Sequence, residues 1–301
     1  MPFNIRNAVK NGEVKPKRKL GQCFLTDANV AEKIVEAAEL TPGDRAIEIG
    51  PGVCALTELL CARAGSVSAV EIDKNLAGLI SGTMSRYKNF DLVIDDILKV
   101  PIRRLMQETG DNPDRPAPAG LSYPSESAAI PAGQIKLIAN LPYYITTPIL
   151  ERVINEFTFV NKAVLMMQKE ASDRLLAKPS TPEYGMLAVL ANTFFKLKKI
   201  FIVPPHCFTP QPGVESAVIL FDALQPRLSA DRKFYVSVVK AAFAVRRKTL
   251  ENSLLHSGLV PSREQAAAIL EEAGIARGAR GESLGINEFW ELARALRAGS
   301  K

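Results

Sequence analysis

Asn140 is the first residue whose type and position could do chemistry. It follows an apolar run and precedes a Pro142 turn and two tyrosines, in the stretch LIANLPYYI. A side-chain amide beside a proline-stiffened turn and an aromatic ring can hold a flat, hydrogen-bonding substrate. The same residues can also form an ordinary loop, so the interpretation depends on what lies near Asn140 in the fold.

Glycine and carboxylate residues stand at similar places in neighbouring segments. In the stretch EIGPGVCALT, Gly50 and Gly52 follow a strand pattern, where the backbone can come close to a ligand. Glu71 ends the next strand pattern and can accept hydrogen bonds from a ribose diol, and Asp96 ends the third and can bind an amino group. Because the carboxyl ends of parallel strands meet at one edge, these residues and Asn140 predict a nucleoside-binding crevice.

The elements that must position these residues alternate between strand and helix patterns. Strands are predicted at 45–50, 67–73, 90–95, 135–140 and 162–168, and helices at 29–40, 54–64, 74–85 and 146–157. This alternation favours an α/β fold with a parallel sheet covered by helices on both faces. Two later strand patterns, KLKKIFIVP and ESAVILFD, are joined by a connection too short for a crossover helix, so we expect them to pair antiparallel at one edge.

The division of the chain follows from these patterns. We predict a basic N-terminal segment at 1–20, an α/β domain at 21–225 and a small helical domain at 226–301, where only helical patterns occur. The stretch 107–133 is rich in Pro, Gly, Ala and Ser and has no periodicity, so we expect a mobile surface insertion there.

Composition limits the class of protein. The 301 residues are 47% hydrophobic, and the net charge of +6 includes basic runs at 10–19 and 246–248 that suit phosphate groups. The apolar runs are too short to span a membrane, and the N-terminus lacks the apolar core of a signal peptide, so we expect a cytoplasmic protein without a membrane partner. The four cysteines have no zinc-ligand spacing, and no metal is expected.

The glycine spacing also fits a loose dinucleotide fingerprint, which raises the alternative of a nicotinamide-dependent dehydrogenase. No second nucleotide-binding half follows in the sequence, and no residue suited to hydride transfer is evident. These observations argue against a dehydrogenase.

Six motifs carry a family resemblance in chain order: KPKRKLGQCFLTD, EIGPGVCALT, AVEID, NLPYYI, FTPQPGVESAV and AFAVRRKTLENSL. Together they resemble the S-adenosylmethionine-dependent ribosomal RNA adenine N6,N6-dimethyltransferases, from residue 15 to the C-terminal helices. The resemblance implies a doubly wound, seven-stranded Rossmann-like methyltransferase sheet and a helical RNA-binding domain. It also implies a monomeric enzyme that dimethylates two adjacent adenosines near the 3′ end of small-subunit ribosomal RNA, in a precursor of the small ribosomal subunit, during ribosome biogenesis.

The resemblance assigns roles to individual residues. Those implied for cofactor binding are Gln22, Cys23, Leu25, Gly50, Gly52, Glu71, Ile72, Asp96, Ile97 and Asn140. Those implied for catalysis are Asn140, Leu141, Pro142, Tyr143 and Phe208. The Asn140 side-chain oxygen and the Leu141 carbonyl would accept hydrogen bonds from the adenine amine, while Tyr143 and Phe208 would stack on the extruded base.

Three positions depart from the family pattern. Cys23 replaces an asparagine or histidine, Cys54 replaces a third glycine, and the stretch GVES replaces a more usual Lys-Val-Asp-Ser. If Cys23 and Cys54 lie close together, oxidation could join them and alter cofactor binding.

Three alternatives stay open. The erythromycin-resistance methylases share these motifs but act on large-subunit RNA. A DNA adenine methylase would use a similar turn but usually has a separate sequence-reading domain. A third alternative is a non-catalytic RNA- or DNA-binding assembly or transcription factor on the same fold.

Overall fold

The computed structural model describes residues 9, 11–12, 14–106, 133–224, 232–245 and 248–299. The predicted insertion therefore falls almost wholly outside the described residues, as do Arg246 and Arg247. The strands in these ranges are β1 Phe24–Leu25, β2 Arg45–Ile49, β3 Ser66–Glu71, β4 Phe90–Ile94, β5 Ile135–Asn140, β6 Lys162–Gln168, β7 Phe195–Val203, β8 Phe208–Thr209 and β9 Ser216–Ala223. The helices are α1 Ala28–Ala37, α2 Thr57–Cys61, α3 Ala77–Met84, α4 Ile102–Leu105, α5 Thr146–Glu156, α6 Lys169–Leu175, α7 Met186–Phe194, α8 Arg232–Ala242, α9 Leu250–His256, α10 Arg263–Glu272 and α11 Ile286–Ala298.

Seven strands form one mixed sheet in the order β4-β3-β2-β5-β6-β9-β7. The pairs β2–β3, β3–β4, β2–β5 and β5–β6 are parallel, and β6 pairs with β9 antiparallel. The chain leaves β2 toward one edge and returns at β5 on its other side, so β2 and β5 flank the point where strand order reverses. Sheets of this kind bind ligands at the carboxyl ends of the strands beside that point. The predicted doubly wound fold is confirmed.

The strand bounds agree with the predicted ones to within two residues. Sequence patterning works here because β2, β3, β5 and β6 are buried along nearly their whole length and are rich in apolar residues, as is typical of strands covered on both faces. The two late strands are neighbours at one edge of the sheet, as expected. The short pair β1–β8 and the helices α4, α6, α7 and α9 were not predicted.

The chain divides into two compact units, which differ from the predicted continuous ranges. The first unit contains most of the sheet and includes Phe157–Ser172 and Lys198–Ala223. The second unit contains Ile154–Glu156, Asp173–Leu197 and the chain from Leu224 onward. Residues 173–197 thus belong with the C-terminal helices, because helix α7 is apolar on most of its surface and packs against α8.

The helical unit has its own core. Tyr235 lies at its centre, with its hydroxyl 3.0 Å from Thr193 Oγ1 and its ring stacked on Trp290 at 3.9 Å between centroids. None of the helices in the described part of the chain combines the length and apolar character that crossing a bilayer requires.

Candidate active site

A cleft opens at the carboxyl edge of the sheet, in the first unit. Its walls are the glycine loop after β2, the ends of β3 and β4, the turn after β5 and an N-terminal segment, residues 14–25, that we call the strap. The predicted residues that line the cleft are Gln22, Cys23, Gly50, Gly52, Glu71, Ile72, Asp96, Ile97, Asn140, Leu141, Pro142 and Tyr143. Parallel strand ends therefore bring together most of the residues singled out in the sequence.

The glycine loop needs glycine at two positions for different reasons. Both Gly50 and Gly52 have a left-handed backbone, with φ of 70° and 55°. A Cβ on Gly50 would meet nothing within 4 Å, so this residue leaves the cleft floor open to a ligand. A Cβ on Gly52 would lie 3.1 Å from Cδ1 of Phe24, because the strap packs its aromatic ring directly on the loop.

Glu71 is a buried carboxylate held by two backbone donors. Its Oε2 accepts from the Gly52 N–H at 3.2 Å, and its Oε1 accepts from the Asp73 N–H at 2.8 Å. Burial raises the pKa of Glu71, and the two N–H bonds offset only part of that rise. A carboxylate has about four acceptor positions, so Glu71 retains capacity for the hydroxyl groups of a ribose.

The residues beside Glu71 suit a flat heterocycle. Ile72 is 41% exposed and Ile97 is buried, and both line the cleft. Asp96 ends the loop after β4, where its Oδ1 accepts from the Leu98 N–H at 2.9 Å and its Oδ2 lies 3.7 Å from Lys99 Nζ. Apolar surfaces next to a carboxylate can hold a ring and the amino group on its edge.

The strap is fastened to the sheet by a cluster that we call the Asp73 clasp, formed by Lys17, Gln22 and Asp73. Lys17 Nζ donates to Asp73 Oδ1 at 2.6 Å, and Gln22 Nε2 donates to Asp73 Oδ2 at 3.0 Å. The other end of the Gln22 amide accepts from the Lys17 backbone N–H at 2.7 Å. Burial opposes ionisation of Asp73, but these bonds outweigh it and hold its pKa below the usual value.

The clasp was not predicted from the sequence. Lys17 and Asp73 are 56 residues apart, and a basic run near a strand-end aspartate gives no indication of pairing. Gln22 was assigned to cofactor binding, and its side chain in this structure holds the strap closed while the residue also lines the cleft.

Asn140 ends β5 with its amide fixed on one side. Its Nδ2 donates to the carbonyl oxygen of Cys23 at 3.1 Å, which joins the turn to the strap. Because an amide is planar and Nδ2 is held, Oδ1 is the end that remains as an acceptor for a ligand. The Pro142 carbonyl accepts from the Ile145 N–H at 3.2 Å and from the Thr146 hydroxyl at 3.1 Å, which stabilises the turn.

Tyr143 lies in that turn and lines the cleft with a half-buried ring. Its hydroxyl is 2.6 Å from Oγ of Ser216, a fully buried residue at the start of β9. Burial raises the pKa of the Tyr143 phenol, so the ring is neutral at physiological pH. The next residue, Tyr144, is exposed at the edge of the cleft.

Two predicted site residues lie elsewhere. Leu25 and Phe208 are register partners in the β1–β8 pair, and each is at most 3% exposed. Neither lines the cleft, because backbone pairing buries both side chains in the core. Phe208 would have to leave this packing to stack on a base, so its role and that of Leu25 stay predictions.

The two unusual cysteines are free thiols. Cys54 is buried and has a φ of 66°, the left-handed conformation in which glycine is favoured and other residues are strained. Burial, followed by the nearby Glu48 carboxyl, raises the pKa of the Cys54 thiol to about 12, and burial also raises the pKa of Cys23. Thiols with raised pKa values react slowly. Their joining by oxidation stays a prediction.

Within the described ranges, no cluster of three or more His, Cys, Asp or Glu side chains is placed to hold a metal ion.

Comparison with known proteins agrees with this geometry. The profile of the family "Ribosomal RNA adenine dimethylase" matches residues 13–296. A Clostridium acetobutylicum protein named "Ribosomal RNA small subunit methyltransferase A" is 40% identical, over 96% of this chain and 97% of its own. A dimethyladenosine transferase from Plasmodium falciparum has the same fold, with a TM-score of 0.71 at 21% identity over 92% of this chain and 98% of its own. The 23S rRNA methyltransferase ErmE gives a TM-score of 0.60 at 25% identity, over 91% and 99% of the two chains. The chain belongs to the ribosomal RNA adenine dimethylase family.

Proposed function

We propose that this protein transfers methyl groups to N6 of two adjacent adenosines near the 3′ end of small-subunit ribosomal RNA. The product is N6,N6-dimethyladenosine, made on a precursor of the small ribosomal subunit. The methyl donor is S-adenosylmethionine, whose positively charged sulfur makes its methyl group an acceptor for the N6 lone pair as the carbon–sulfur bond breaks. Family membership and the composition of the cleft support this assignment.

The cleft residues fit such a donor. Glu71 can accept from the ribose hydroxyls, and Asp96 can accept from the adenine amino group. Ile72 and Ile97 provide apolar surfaces for the ring. Gly50 leaves open space beside the loop, and the carboxylates at the strand ends favour a ligand with net positive charge.

The observation that carries the proposal is the position of Asn140. Its amide is oriented by the Cys23 carbonyl at 3.1 Å, at the strand end where the sheet order reverses. The adenine amine is a poor nucleophile because its lone pair is delocalised into the ring. Acceptors at Asn140 Oδ1 and the Leu141 carbonyl would bind its two hydrogens, favour a pyramidal nitrogen and direct the lone pair. The N6 proton released after transfer passes to water.

The target base must leave the RNA stack to reach these acceptors. Tyr143 and Tyr144 both line the cleft close to Asn140. We assign Tyr143 as the surface on which the base stacks, because its ring is half-buried and its hydroxyl is held by Ser216, whereas Tyr144 is exposed. Stacking on one face does not require Phe208, which is buried away from the cleft.

The choice of RNA rests on the relatives. A small-subunit methyltransferase is 40% identical over nearly the whole chain, whereas the 23S rRNA methyltransferase is 25% identical. We also propose a monomeric enzyme, as the family resemblance implies. A ribosomal substrate in bacteria implies action in the cytoplasm.

The test combines RNA mapping with an Asn140→Ala variant. Wild-type protein, S-adenosylmethionine and unmethylated small ribosomal subunits should yield dimethyladenosine at two adjacent positions, while unmethylated large subunits should yield none. Asn140→Ala should lower the rate by about 10²- to 10³-fold, as expected for loss of a positioned polar group in the transition state, with cofactor Kd within about tenfold.

Asn89→Ala provides a matched control, since Asn89 is a half-buried amide of the same unit that donates to two backbone carbonyls away from the cleft. Its product yield per folded protein should equal that of the wild type. Methylation of large subunits alone would favour the erythromycin-resistance class, and binding without methylation would favour an assembly factor.

A further inference from the structure

We propose that Ser216 is a positioning residue that fixes the ring of Tyr143, and that this contact matters most for the second of the two methyl transfers. The inference rests on the proposed function. Ser216 does not line the cleft, so its effect on the reaction is exerted through Tyr143.

Ser216 offers a fixed hydroxyl. It is the first residue of β9 and lies opposite Gln168 in the antiparallel register with β6. The preceding peptide is also held, because the Glu215 carbonyl accepts from the Lys169 N–H at 3.0 Å. The Ser216 side chain is fully buried, and a buried hydroxyl strongly favours a hydrogen-bond partner.

Tyr143 is held at both ends. The turn that carries its backbone is closed by the hydrogen bonds to the Pro142 carbonyl, and its phenol is held by Ser216 Oγ at 2.6 Å. The phenol oxygen lies on the axis about which the ring turns, so holding it fixes the first side-chain angle and the position of the ring. The preference of a phenol for hydrogen bonds in its own plane then favours one orientation of the ring about that axis. The stacking surface is thereby set before a base arrives, which reduces the entropy lost on binding.

The two transfers make different demands on this surface. The first transfer begins with an amine that has two hydrogens, which Asn140 Oδ1 and the Leu141 carbonyl can both bind. The second begins with N6-methyladenosine, whose nitrogen has one hydrogen and can engage only one of these acceptors. Orientation of the base then depends more on stacking against Tyr143, and hence on Ser216.

The experiment measures single-turnover rates for both transfers on unmethylated small ribosomal subunits, by mass spectrometry of the two nucleosides. Ser216→Ala should slow the first transfer by less than about threefold and the second by about three- to tenfold, the range for loss of one hydrogen bond. Monomethyladenosine should accumulate. The Kd for S-adenosylmethionine, measured by calorimetry, should stay within about twofold of the wild type.

Tyr143→Phe removes the other half of the same hydrogen bond and keeps the ring. It should give the same accumulation of monomethyladenosine, and the double variant should be no slower than either single variant, because all three variants lack the same interaction. This variant also carries the test if Ser216→Ala proves unstable. Ser253→Ala is the matched control, since Ser253 is fully buried in the helical unit and donates to the Thr249 carbonyl.

The outcomes separate this inference from the proposed function. Wild-type protein that makes no methylated adenosine would overturn the proposed function and this inference with it. Wild-type protein that dimethylates, with Ser216→Ala and Tyr143→Phe giving the same ratio of monomethyl to dimethyl product, would overturn the role of Ser216 alone. Equal slowing of both transfers would also contradict it, because that pattern indicates a general structural effect.

Discussion

The Asp73 clasp leads to a quantitative prediction: weakening its hold on the strap should weaken cofactor binding. Asp73→Asn keeps the size and shape of the side chain and removes its negative charge. Asparagine also retains an oxygen that can accept from the Asn75 N–H, which bonds to Asp73 Oδ1 at 3.0 Å, so the local turn should persist. The change is therefore directed at the hydrogen bonds with Lys17 and Gln22.

The structure sets the magnitude of the effect. The Lys17 side chain is 42% exposed while that of Asp73 is 2% exposed, so solvent screening limits this ion pair to about 0.5–1 kcal/mol. The Gln22 bond to a buried carboxylate is worth about 1 kcal/mol, and the asparagine NH₂, in the place of Oδ2, would face the Gln22 donor, while Lys17 would lose its charged partner. Together these losses amount to about 1.5–2 kcal/mol, or roughly ten- to thirtyfold. If the cofactor binds only when the strap is docked, its apparent Kd should rise by that factor.

The assay is calorimetric titration of S-adenosylmethionine and of S-adenosylhomocysteine, with both ligands expected to weaken equally. Glu58→Gln is the control, because it breaks the Glu58–Arg86 ion pair at 3.1 Å outside the cleft and should leave Kd unchanged. The pKa of Asp73 is depressed, so its contribution is complete above the unfolded-state value near 4 and is lost only as pH falls through the folded value. A folded Asp73→Asn protein whose Kd for S-adenosylmethionine is within twofold of the wild-type value at pH 7 would refute the role of the clasp in cofactor binding.

Three further predictions follow from other residues. Burial, with a smaller effect of the neighbouring Glu71 charge, raises the pKa of Glu48 to about 8, so between pH 4.5 and pH 8 the native protein keeps a proton that the unfolded chain loses. The free energy of unfolding, measured with urea, should therefore fall by up to about 5 kcal/mol across this pH range. Glu48→Gln should flatten this pH dependence. Gly52→Ala should lower the free energy of unfolding by about 1–2 kcal/mol and weaken cofactor binding at least about tenfold, because φ at Gly52 is positive and the new Cβ meets the Phe24 ring. Gly78→Ala is the control and should not affect binding, because its Cβ would meet nothing within 4 Å. Neutral replacements in the run 246–248 should reduce the logarithmic salt dependence of RNA binding by about one for each phosphate group that is no longer bound, and an unchanged slope would indicate a solvated surface.

The sequence by itself determined the sheet and the composition of the cleft. Strands buried on both faces are rich in apolar residues, and the residue types that follow them are visible without a structure. Since parallel strands share one carboxyl edge, Gly50, Glu71 and Asn140 could be placed in one crevice from chain order alone. The family motifs then suggested the reaction, and the family profile confirmed the resemblance.

Only the tertiary structure decided how these residues are held. The strands β1 and β8 have two residues each, too few to give a pattern, yet their pairing buries Leu25 and Phe208 away from the cleft. The hydrogen bond between Tyr143 and Ser216 joins residues 73 positions apart, and such a bond exists only once the register of β6 and β9 is set. Local sequence specifies backbone preference and burial, whereas interactions between distant side chains depend on how completed elements pack, and these interactions position the residues of the cleft.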